Sequence, residues 1–158
     1  MTPPSIWLDD YATLLVVLHA AASIVLIGAC THHALIVVRY LRGRYPVRLG
    51  RIYAATVAGA YLVTFALGLL AYPTFRYHVR ALYLDRHAPW ASNLFDIKEN
   101  WAALGLPLVV AMLVLSRLMD PRADRALLRG YAAASFMVTA IVWFAVFSGF
   151  VITMTKGV

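Results

Sequence analysis

The sequence predicts an all-α polytopic membrane protein, a four-transmembrane-helix up-and-down bundle with a short interfacial helix in its outer loop. Three observations carry that fold class. Four stretches contain no Asp, Glu, Lys or Arg: Tyr11 to Val38, Ile52 to Phe75, Asn100 to Ser116 and Gly130 to Thr155. Hydrophobic residues make up 63% of the 158-residue chain and charged residues only 13%, far from the soluble average. A hydrocarbon core about 30 Å thick needs about 20 apolar residues per helix, so four spans account for most of the chain as a single integral membrane domain, residues 1–158.

The first span is expected at about 11–38. The residues before it carry Asp9 and Asp10 and no Lys or Arg, the reverse of a signal-peptide start, so a cleaved leader is not expected. Ile27-Gly28-Ala29-Cys30 resembles a lipoprotein cleavage motif, but the apolar run Ala34 to Val38 continues the helix through it. An inner loop at 39–51 follows, broken by Gly43 and Pro46. The second span, about 52–74, carries small residues at helical spacing, Ala55, Gly59 and Ala66, with Thr64 and Gly68 on a neighbouring line; such a stripe reads as a helix-packing face.

The outer loop, 75–96, is the only sizeable extramembrane segment. In its first half Phe75, Val79 and Leu82 recur at helical spacing opposite Arg76, Arg80, Tyr83 and His87, which predicts an amphipathic helix at the outer interface. Asp96-Ile97-Lys98-Glu99 has the spacing of a helix N-cap and places the third span at 97–118, with Pro107 inside it and Pro121 ending it. After a second inner loop, 117–129, the fourth span runs about 130–155.

Charge sets the orientation. Arg39, Arg42, Arg44, Arg48 and Arg51 fill the first inner loop and Arg117, Arg122, Arg125 and Arg129 the second, nine of the 14 basic residues. The positive-inside rule makes those loops cytoplasmic and both chain ends extracytoplasmic, the pattern of a multi-pass protein of a bacterial inner membrane. The net charge of +7 is thereby explained by helix ends, and nucleic-acid binding is not expected. Tyr and Trp gather at the expected span ends; Tyr61 and Trp143 are mid-span exceptions that should face neighbouring helices. Arg39, Arg44, Arg51, Tyr53, Ala54 and Ala55 recur as Arg117, Arg122, Arg129, Tyr131, Ala132 and Ala133, a constant offset of 78 that suggests a tandem duplication of a helical hairpin.

Ionisable groups inside a span are costly, which makes His19 the first candidate for chemistry. Counting about 20 residues outward from Arg39, Arg51, Arg117 and Arg129 brings His19, Leu69, Glu99 and Ser148 to one depth near the outer rim. His19 and Glu99 thus form a candidate ligand or proton site, to which Asp96 and His78 could add from the loop. The bland alternative is that Glu99 caps a helix and His19 bonds a backbone carbonyl. Cys30, His32 and His33 offer soft metal ligands, but three side chains on consecutive turns of one helix do not aim at one ion. Redox compartment cannot be read from a single cysteine.

His33 follows His19 by 14 residues, about 21 Å on one helix face. In that spacing and its four-helix plan the chain resembles small b-type cytochromes. The resemblance implies haem b held by paired histidines, and because the third and fourth spans have no histidine it leaves one pair, His19 with His78. No phosphate loop, nucleophile elbow or paired-carboxylate motif occurs, so an enzyme working through covalent catalysis is not expected. The reading is a small non-catalytic subunit or accessory protein of a larger membrane assembly, partnered by lipid and by another membrane protein or by its own copies. The alternatives are a haem- or metal-binding redox protein and a small oligomeric proton-coupled transporter.

Overall fold

A computed structural model describes residues 6–156. A single 3-10 turn at Asp9–Tyr11 leads into α1 (Ala12–Leu41), and α2 (Val47–Thr74) returns across the molecule. A π-helical segment (Phe75–Leu84) continues α2 into the short α3 (Asp85–His87); α4 (Pro89–Leu118) and α5 (Arg125–Thr155) complete the chain. Four of these helical stretches are long and apolar enough to cross a membrane, and no strand occurs among the described residues. The chain is an all-α multi-pass membrane protein whose apolar helix faces meet lipid.

The helices form a closed ring. α1 packs on α2 and α5, and α4 packs on α5 and α2, giving the order α1, α2, α4, α5. The first and last described residues lie at one end of the bundle, here the terminal end; the two arginine-rich connections lie at the other, the arginine end. Helix boundaries follow the sequence repeat closely. Adding 78 to the bounds of α1 gives 90 and 119, against an observed Pro89–Leu118, and adding 78 to Val47 gives the first residue of α5, Arg125. The ring contacts obey the same relation, since exchanging the two halves turns the α1 against α5 contact into that of α4 against α2.

The turn between α1 and α2 is a Schellman motif: Gly43 N–H donates to Tyr40 O at 3.0 Å and Arg44 N–H to Arg39 O at 2.9 Å. Gly43 has φ of 78°, in the left-handed region that glycine enters without a Cβ penalty. The turn between α4 and α5 is built from its acids, with Asp120 Oδ1 accepting Arg122 N–H and Asp124 Oδ2 accepting Asp120 N–H, both at 2.9 Å. Arg51 reaches across the ring and donates to the final α4 carbonyls, Ser116 O at 3.2 Å and Arg117 O at 3.4 Å. A cation at a helix C-terminus satisfies orphan carbonyls and suits the helix dipole.

The region expected as an outer loop is a helical hairpin continuous with the spans. From Val47 to His87 the chain stays helical for 41 residues, about 60 Å, roughly twice the hydrocarbon thickness. The amphipathic helix expected over the first half of 75–96 is present, and it extends α2 instead of standing apart from it. The shift to π geometry begins two residues after Pro73, whose missing N–H leaves Leu69 O without its helical donor. α4 begins at Pro89, a favoured first helical position, so the N-cap expected at Asp96 is not used there. Asp96 lies about two turns inside α4 and instead takes a two-pronged bond from Arg80, at 2.6 and 2.9 Å. That hydrogen-bonded carboxylate holds the Arg80 guanidinium above its ordinary pKa. Phe75 and Phe95 stack at 4.3 Å beneath the ion pair, and Val79, Leu84, Ala88, Ala91 and Ile152 fill the space around them.

The main core lies towards the arginine end and is partly aromatic. Tyr131 is fully buried, stacks on Tyr40 at 6.2 Å and bonds His33 Nε2 at 2.6 Å. Tyr61 and Trp143, the mid-span exceptions, do face neighbouring helices: Tyr61 donates to Ala102 O of α4 at 2.7 Å and Trp143 to Thr31 Oγ1 of α1 at 3.2 Å.

Candidate functional site at the terminal rim

His19 is half-buried between α1 and α2. Its Nδ1 donates to Thr64 O at 2.9 Å, which leaves Nε2 as the acceptor of the neutral ring. The imidazole lies against Gly68, where a Cβ would stand 3.2 Å from its Cε1. Thr64 Oγ1, on the residue that receives the His19 bond, is buried and has no partner among the described residues. An unpaired hydroxyl of this kind is uncommon in a packed interior.

Across the ring the second half repeats the arrangement with a different side chain. Lys98 on α4 is half-buried, its Nζ 5.1 Å from the Phe95 ring centroid and 3.9 Å from the place a Cβ would occupy on Gly149 of α5. Subtracting the repeat offset places Lys98 at position 20 and Gly149 at position 71, beside His19 and one turn from Gly68. Each half thus sets one nitrogen-bearing side chain of its first helix against a glycine of its second. Lys98 lies within electrostatic range of His19, and no carboxylate comes within 4.0 Å of its ammonium among the described residues.

The depth register counted from the arginines therefore lands one residue from the contacts seen, with Gly68 for Leu69, Lys98 for Glu99 and Gly149 for Ser148. Glu99 is half-buried, makes no hydrogen bond or ion pair among the described residues, and lies in the field of Lys98 first, then of Asp96, Arg80 and Arg76. The side chain brought towards His19 is its neighbour, Lys98. Asp96 is held by Arg80, and His78 Nε2 pairs with Asp9 Oδ2 at 3.2 Å, both within the terminal-end hairpin region.

His78 lies ten residues beyond Gly68, on the order of 15 Å along the helix, while His19 touches Gly68 itself. The two are engaged separately, His19 with Thr64 and His78 with Asp9, and the structure shows no contact between them. Cys30, His32 and His33 also diverge: His32 Nδ1 donates to Gly28 O at 2.8 Å on an exposed face, His33 bonds Tyr131 inside the core, and Cys30 is buried. No group of three His, Cys, Asp or Glu side chains placed to hold a metal occurs among the described residues. Of the small-residue line on α2, Gly68 packs on His19 whereas Gly59 and Ala66 face outwards and Ala55 is half-buried; the ring is packed by Ala54, Val57, Ala58 and Tyr61.

No family model, curated protein or solved structure matches the chain. The residues at the rim carry the functional argument alone. Lys98 is the group that sequence reasoning missed, because it was read only as part of the N-cap motif that opens the third span; the repeat places α4's start near 90 and so puts Lys98 in its third turn.

Proposed function

We propose that this chain is a small non-catalytic subunit or accessory protein of a larger membrane assembly. It sits in a bacterial inner membrane with its arginine end in the cytoplasm and both chain ends outside. One observation carries the reading. The α2 extension and the start of α4 form a hairpin beyond the spans, clamped by Arg80 and Asp96, which exposes Leu82 and Trp90. Rigid exposed aromatic and aliphatic groups on a small platform suit contact with a partner at the membrane surface. The test is capture of the tagged full-length protein from native membranes. A membrane-protein partner should be retained in fixed ratio, and Trp90→Ala with Arg80→Ala should reduce it by at least about tenfold, as loss of a central aromatic contact does. Recovery of the chain alone, or of an unchanged partner with the variant, would sink the reading.

A second reading rests on the unpaired Thr64 hydroxyl and the free His19 Nε2 within range of Lys98. These groups suit a small proton-coupled transporter, with Lys98 in the place expected of Glu99 and with at least two copies needed to enclose a path. Proton flux into proteoliposomes should then fall more than about tenfold in His19→Ala, the loss expected of a required proton-transfer group. Flux that survives both His19→Ala and Lys98→Gln removes this reading.

A further inference from the structure

The repeat fails at one place in the arginine end, and the failure opens a groove. In the first half α1 closes with Ile36 and Tyr40 turned into the core, 4% and 2% exposed. Adding the offset of 78 gives Val114 and Leu118 near the end of α4, yet these are 46% and 76% exposed. The reason lies in the facing helix. Tyr40 lies over Gly50 of α2, its hydroxyl filling the place a Cβ would take, and donates to Pro46 O at 3.3 Å. The equivalent of Gly50 in α5 is Leu128, which is itself buried. α5 therefore has no glycine here for a side chain of α4 to lie on, and Leu118 stays outside.

Leu113, Val114, Arg117 and Leu118 line the open groove that results, about 280 Å³ in volume. Three of its four residues are apolar and the fourth is a cation. Arg117 is exposed, and its guanidinium makes no hydrogen bond and meets no carboxylate within 4.0 Å among the described residues. The acids nearest in sequence are engaged by the turn itself, Asp120 Oδ1 by Arg122 N–H and Asp124 Oδ2 by Asp120 N–H. Arg51 brings a second guanidinium to the same place, held 3.4 Å from Arg117 O.

We propose that this groove is a binding site for a phospholipid with an anionic headgroup. Charge complementarity selects the occupant. Basic residues at the ends of spans stand at the level of lipid phosphates, and an arginine offers a phosphate a planar, two-pronged set of donors. Leu113 and Val114 lie about 5 Å deeper than Arg117, where the first carbons of an acyl chain run. A zwitterionic headgroup brings a cation of its own beside Arg117 and Arg51, whereas an anionic one answers their charge. The site is the same whichever face of the membrane the arginine end meets.

The test uses the full-length protein in phosphatidylcholine bilayers, with Cys30 replaced by Ala and a fluorophore attached at Val110→Cys. Val110 is exposed one turn deeper than Val114, so the label lies under the acyl chain without filling the groove. A minor fraction of the lipid carries brominated acyl chains, which quench on contact, either as phosphatidylglycerol or as phosphatidylcholine. Brominated phosphatidylglycerol should be enriched about fivefold at the label, the preference one arginine at the membrane surface supports. Arg117→Gln should abolish that preference and Arg117→Lys should keep part of it. Arg39→Gln removes the equivalent charge from the half without a groove and should leave the preference unchanged. Equal quenching by the two lipids overturns the proposal, as does equal loss in Arg117→Gln and Arg39→Gln, the mark of a diffuse field, or in Arg117→Gln and Arg117→Lys. Quenching by neither lipid shows a protein seated on the groove and also overturns it.

Discussion

Replacing Tyr131 by Phe is expected to destabilise the bundle by about 1–2 kcal/mol, since it leaves His33 Nε2 without its hydrogen-bond partner in a dry core. Both residues are essentially inaccessible, the bond between them is 2.6 Å, and their rings meet edge to face at 5.6 Å. Tyr131→Ala removes the ring as well and should cost about 3–5 kcal/mol through the cavity it opens beside Tyr40. The informative variant is the double one. When His33→Leu accompanies Tyr131→Phe, no polar group is left stranded, so the pair should be less destabilised than the sum of the single changes, with a coupling of about 1–2 kcal/mol. Unfolding in mild detergent, followed by far-UV circular dichroism, measures all four chains. Strict additivity would show that the bond contributes nothing.

Gly105→Ala is the second large effect. The hydroxyl of Tyr61 occupies the place where a Cβ on Gly105 would stand, and the Tyr61 ring carbon Cζ is 2.7 Å from it. Tyr61 has no room to swing away, because it is 4% exposed and donates to Ala102 O. Overpacking of this kind costs about 1–3 kcal/mol. Tyr61→Phe removes the nearest atom and should recover part of that loss in the Gly105→Ala chain, although Cζ remains close. Gly130 is the control, with nothing within 4 Å of its Cβ position, and Gly130→Ala should be neutral or slightly stabilising. Comparable melting of the Gly105→Ala and Gly130→Ala proteins would refute the packing argument.

The spans, their order and the arginine-rich turns were legible because burying a backbone in lipid leaves so few options. Depth was legible too, since 1.5 Å per residue from a basic anchor brought His19, Gly68, Lys98 and Gly149 to one level within a residue. What misled was treating the first charge as the end of a helix. Asp96 is charged yet helical, because it pairs with Arg80 across the hairpin instead of seeking water in a loop. The offset of 78 already contained the correction, as it carries Ala12 to position 90. The packing face of α2 was read from Ala55, Gly59, Ala66 and Gly68; of these Gly68 packs on His19, and the ring otherwise uses Ala54, Val57, Ala58 and Tyr61. On a helix one residue turns the chain about 100°, so small residues alone do not say which side is inward.

Between the two long hairpins stands a single non-helical residue, Ala88. Its brevity has a consequence for biogenesis. Each half is a pair of spans that begins and ends on the same side, and each half packs its own two helices against one another, so each is expected to insert without the other. Only closing the ring, α1 onto α5 and α2 onto α4, requires both, and by then Arg80 and Asp96 are already drawn together by the tight joint. Assembly is thus expected to run as two self-contained insertions followed by one docking step, with Ala88 keeping the partners at high effective concentration.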